Sequence, residues 1–203
     1  MSQAPKLPRE LRAAAWVALV LSALVGLASA GETQVLVEIH EVKAAASSSK
    51  PSFPGDPRMQ EAMARAQIQA LESMRGPRIA VLVALSFACG LVLVSSARFL
   101  WPGPLSRDAM RRIAGGAAIA SGVLRTIDGA MTAVVGQRAG AAVAKLSGPL
   151  EGLGASESEW FKSMAPVLIS GGMIALTVFF AGAFIAVGQY LRSDRARRLL
   201  EPR

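Results

Sequence analysis

Between Lys162 and Arg192 the chain carries no charged side chain. A helix crosses the hydrocarbon of a bilayer in roughly 20 residues, and this run exceeds that length. In water, a helix apolar on every side must be enclosed by other elements. Two further uncharged windows, 13–31 and 79–97, are each close to the minimum spanning length. A chain of 203 residues is too short to build a soluble core around three such helices. Its charged fraction of 18% is also below the roughly 25% of ordinary soluble domains.

Three crossings alone would put the arginines at 107, 111 and 112 and those at 192, 195, 197 and 198 on opposite sides of the membrane. That conflicts with the tendency of basic residues to collect on the cytoplasmic side. A fourth crossing, through the weakly apolar stretch 113–137, removes the conflict. The expected fold is therefore all-α: a small polytopic integral membrane protein with four transmembrane helices. The expected layout is a cytoplasmic N-terminus at 1–12, a first span at 13–31 and an outer segment at 32–77 that includes an amphipathic helix over 57–75. A second span at 78–101, a basic loop at 102–112, the third span at 113–137, an outer loop at 138–162, the fourth span at 163–191 and a basic tail at 192–203 complete it. Trp16, Trp101, Trp160 and Tyr190 each fall at an end of a span, where amphipathic rings favour the head-group layer. The expected address is a bacterial inner (plasma) membrane with both termini cytoplasmic.

The third segment is unusual in two ways. It contains Arg125 and Asp128, whose three-residue offset places them on one helical face, where they can pair. It also repeats glycine every seven positions, at Gly115, Gly122, Gly129 and Gly136, and small residues let helix backbones approach closely in a bilayer. Ile119, Val123, Leu124, Ile127, Met131 and Val134 occupy the other face. Two arrangements compete, a span whose small face turns into a bundle and a helix lying flat in the interface. Glycine favours the span, because in a helix it costs about 1 kcal/mol relative to alanine unless close packing compensates. The central charges oppose it, at about 2.5 to 3.5 kcal/mol each on insertion scales. Three spans rather than four result if this segment lies flat. They also result if the N-terminus is a cleaved signal peptide, which its basic start and the Ala28-Ser29-Ala30 triplet resemble; an uncleaved anchor is preferred because the apolar run is long and begins near Trp16.

The remaining segments carry weaker signals. Residues 33–43 fit either a short strand or a continued helix, and 44–55 read as a linker of serine, glycine and proline. Asp56 with Pro57 forms a helix start signal, followed by a stripe of Met59, Met63, Ala66, Ala70 and Met74. Gly76-Pro77 is expected to break or kink that helix, and Ser156 and Glu159 have capping-box spacing for the last helix. His40, between Glu38 and Glu41, has no second nitrogen or thiolate ligand, so no metal site is expected.

These features bound the function classes. The net charge of +8 lies beside apolar runs without interleaved aromatics, which points to lipid head groups and away from nucleic acid. Cys89 is the only cysteine, so neither an internal disulfide nor a paired-thiol redox site can form. No nucleophile elbow, phosphate loop, HExxH or paired carboxylate set is present. The expectation is a non-enzymatic membrane subunit or scaffold, without cofactor, that packs against itself or a membrane-protein partner. The alternative is a small oligomeric transporter or channel that uses the Arg125 and Asp128 face of the third span as its ion path.

Overall fold

The computed structural model describes residues 7–39, 57–101, 106–146 and 155–200. The described residues are all-α. Helix α1 spans Arg9–Val37, α2 Pro57–Leu100, α3 Arg107–Leu146 and α4 Ala155–Arg192, and a short helix, α5, covers Asp194–Arg198. Segments within the four long helices, Arg9–Val37, Leu71–Leu100, Arg107–Arg138 and Ser170–Arg192, are long and apolar enough to cross a membrane. The third of these is the weakly apolar stretch proposed from the arginine distribution.

The chain forms two compact units. The first comprises Met1–Glu32, Val81–Ile127 and Val178–Arg203, and all four long helices contribute to it. Its buried positions recur at alternating steps of four and three. On α1 they are Leu11, Ala15, Ala18, Ser22, Val25 and Ser29, and on α2 Leu82, Leu85, Cys89, Val92, Ser96 and Phe99. On α4 they are Ala181, Phe184, Gly188 and Leu191. A repeat averaging 3.5 residues keeps one seam of each helix facing its neighbours. Ala15, Ala18, Ser22 and Ser29 make the α1 seam mostly small, which lets helix backbones approach closely, whereas the α2 seam is filled mainly by Leu82, Leu85, Val92 and Phe99. Ser22 and Ser29 satisfy their hydroxyls on the Leu19 and Val25 carbonyls of their own helix at 3.0 and 2.8 Å.

Many large apolar side chains also lie on the outside. Val17, Val20, Leu24 and Leu27 of α1 and Val83, Phe87, Leu91 and Val94 of α2 are exposed, Leu27 and Phe87 by 75% and 71%. Contiguous apolar surface on this scale is costly in water and suits lipid. The unit closes at one end on Leu11, Ala15, Phe99, Met110 and Ala196, flanked by Leu7 and Leu200.

The second unit comprises Thr33–Ala80 and Asp128–Thr177. Helix α2 is not ended at Gly76-Pro77 but runs through both residues, so Pro77 lies inside it. Proline removes one backbone hydrogen bond, and the helix continues through that loss into the uncharged run 79–97. Residues 33–37 continue α1 as helix instead of forming a strand. The Arg75 guanidinium donates to the Val37 carbonyl at 2.8 Å, satisfying one of the orphan acceptors at that helix end. His40, the 44–55 linker and Asp56 lie outside the described residues, as do the side chains of Met59 and Met63.

Candidate functional site

Asp128 is 1% exposed, in the α3 part of the second unit. A carboxylate so enclosed needs a cation or several donors. The structure supplies Arg78, whose Nε donates to Asp128 Oδ1 at 3.2 Å with the guanidinium itself nearly buried. The sequence pairing of Arg125 with Asp128 therefore omitted a partner on another helix. Arg78 is the first residue of the expected second span, directly after the expected break or kink at Gly76-Pro77. With α2 continuous, Arg78 takes the seam position four residues before Leu82, in register with Leu85 and Cys89. That register was the available signal. Buried charge is thus not confined to residues 113–137, since Arg78 of α2 and Arg111 near the start of α3 are buried as well.

Arg125 belongs to the first unit and is half-buried. In the same unit the Cys89 thiol faces the Ser121 hydroxyl at 3.8 Å, and a methyl group added to Gly26 would meet Cys89 Cβ at 3.1 Å.

All four glycines of the seven-residue repeat on α3 face α4. In the first unit, Gly115 and Gly188 approach one another so closely that a β-carbon on Gly115 would lie 3.0 Å from the Gly188 carbonyl oxygen, and one on Gly188 would lie 2.8 Å from that of Gly115. A β-carbon on Gly122 would lie 3.0 Å from the Ala181 carbonyl oxygen and 2.7 Å from Ile185 Cγ1. In the second unit Gly129 abuts Thr177, where an added β-carbon would overlap its side chain. Gly136 is looser, with Met173 Sδ at 3.7 Å. Val123 and Ile127 are on the exposed side, whereas Ile119 turns toward Gly188.

The closed end of the first unit gathers the basic residues. The Arg111 guanidinium donates to the Leu191 carbonyl and to that of Ser193 at 3.4 Å, which caps the C-terminus of α4. Asp108 holds the same guanidinium at 2.7 Å and that of Arg112 at 2.9 Å. Ser193 accepts from the Ala196 backbone N–H as the N-cap of α5. Arg195 grips Glu10 of α1 through both carboxylate oxygens at 3.0 and 2.9 Å, and the Tyr190 hydroxyl donates to Glu10 at 3.3 Å. The start of α1, the start of α3 and the end of α4 therefore meet in one cluster.

Among the described residues no group of three or more His, Cys, Asp or Glu is arranged to hold a metal ion. No protein-family model matches the chain, and no curated protein or solved structure matches it.

Proposed function

We propose that the protein is a non-enzymatic membrane subunit or scaffold that acts by packing its helices against a second copy of itself or a membrane-protein partner. It sits in a bacterial inner membrane with both termini cytoplasmic. The observation that carries this reading is the outward side of α4. Gly171, Gly172 and Gly182 are exposed and have open space where a β-carbon would stand, beside exposed Leu176, Val178 and Phe179. Glycine in a helix costs about 1 kcal/mol relative to alanine. Gly115, Gly122 and Gly129 are compensated by close packing against α4, and among the described residues Gly171, Gly172 and Gly182 have no such compensation.

The grouping of Glu10, Arg111 and Arg195 at one end supports the orientation, because it puts the three basic segments together as a shared cytoplasmic side requires. The α1 seam, buried from Leu11 to Ser29, supports an uncleaved first helix.

Self-association is tested by placing a single cysteine at position 182 in a Cys89→Ala background and measuring disulfide-linked dimer in native membranes. A dimer band at position 182 that is absent for a cysteine at Leu24 is expected; monomer at both positions, with no copurifying membrane protein, would refute the reading.

A second reading has its own observation. Arg78 and Asp128 form a buried ion pair, and intramembrane ionisable residues commonly mark transport paths. On that reading the polar face of α3 with Arg125 and Asp128 lines a conduit in an oligomer. Flux into proteoliposomes that is abolished by Asp128→Asn would favour the conduit over the scaffold.

A further inference from the structure

We infer that the outer face of α2, near its C-terminal end, is a binding site for one anionic phospholipid, with the phosphate on Arg98 and an acyl chain along Leu93 and Val94. An open groove of about 420 Å³ lies there, lined by Leu93, Val94, Ala97, Arg98 and Trp101, within the roughly 300–1,000 Å³ over which small-molecule sites fall. These residues lie on the side of α2 opposite the seam of Val92, Ser96 and Phe99.

The charge at the groove is what selects the occupant. Asp108 engages Arg111 and Arg112, and Glu10 engages Arg195. Arg98, in the last turn of α2, is exposed, and among the described residues no carboxylate or carbonyl accepts from it. A guanidinium presents paired donors that match two phosphate oxygens. Trp101 supplies the second polar-apolar element, since an indole favours head-group depth. Its ring meets Trp16 of α1 edge-on, with centroids 5.8 Å apart at 80°, so the groove wall is held from a second helix. An apolar trough with a cation at its end that no described residue engages complements a lipid carrying net negative charge better than a zwitterionic one, whose own cation must be accommodated beside the phosphate.

The inference rests on membrane residence and is independent of self-association. The test uses full-length protein in nanodiscs of equal phosphatidylglycerol and phosphatidylcholine, with the retained lipid counted by native mass spectrometry. The wild type is expected to retain phosphatidylglycerol over phosphatidylcholine by about fivefold, the effect of one basic residue at an anionic surface. Arg98→Gln is expected to abolish the preference, Arg98→Lys to keep most of it, and Val94→Trp, which fills the trough but keeps the charge, to lower retention of both lipids. Arg198→Gln removes a cation away from the groove and is expected to change nothing. Equal retention of the two lipids by the wild type, or equal losses in Arg98→Gln and Arg198→Gln, would overturn the site while leaving membrane residence intact. A protein that fails to enter nanodiscs would overturn both.

Discussion

At Gly188 the molecule has no room for a methyl group. A β-carbon there would meet the Gly115 carbonyl oxygen at 2.8 Å and the Ile119 backbone nitrogen at 3.1 Å, and neither can move without shifting α3. At Gly136 the nearest atom is the thioether sulfur of Met173, at an ordinary 3.7 Å. Gly188→Ala is therefore expected to destabilise the protein by about 1–3 kcal/mol, in the range of overpacked cores. Gly136→Ala is expected to be neutral or to stabilise by up to about 1 kcal/mol through helix propensity. Cys89, buried and the only cysteine, provides the measurement: its reaction with a thiol-sensitive fluorophore on heating in detergent reports unfolding. Equal melting of the two variants would show that the α3–α4 seam is not close-packed. The repeat of Gly115, Gly122, Gly129 and Gly136 was legible because only spacing was needed to see it. Gly188 belongs to no such repeat, and its pairing with Gly115 depends on how two helices lie together.

At the scale of elements, helix ends are held by arginines from neighbouring helices. Arg75 of α2 serves the end of α1, and Arg111 of α3 serves the end of α4. The Arg75 contact is exposed, but Arg111 reaches a buried carbonyl, where a charged donor contributes more than an ordinary hydrogen bond, about 1.5–3 kcal/mol. It also opposes the negative end of the helix dipole. Arg111→Gln is expected to release the α4 end and with it α5, so that limited trypsin digestion cleaves at Arg195, Arg197 and Arg198 several-fold faster than in the wild type. An unchanged cleavage rate would argue that α5 is held by Ala196 and the Glu10 contact alone. The sequence marked Arg111 as one of a cluster that orients the chain, a role that needs only its charge. Its burial depends on α4 returning beside α3, which no local pattern encodes. Arg78 was hidden for the opposite reason, because a local signal, proline, outweighed a register that continued unbroken through it.

At the scale of the whole molecule, the four spans make a topological prediction that hydropathy alone leaves weak at α3. A reporter active only outside the cytoplasm is expected to be active when fused after Leu153 and after Ala46. Activity after Ala46 with silence after Leu153 would mean that residues 113–137 do not cross. The all-helical architecture was legible from the uncharged runs, and the third crossing from the requirement that arginines share a side. The heptad seams of α1, α2 and α4 were harder to see, because both faces of these helices are apolar and leucine and phenylalanine occur inside (Leu82, Phe99, Phe184) and outside (Leu27, Phe87) alike. The cap on α4 also fixes an order of events during synthesis. Arg111 is translated 80 residues before Leu191, so its guanidinium has only Asp108 to hold until nearly all of α4 has left the ribosome. The last helix thereby completes the third, and a nascent chain halted short of Leu191 retains a cation whose carbonyl acceptors have not yet been made.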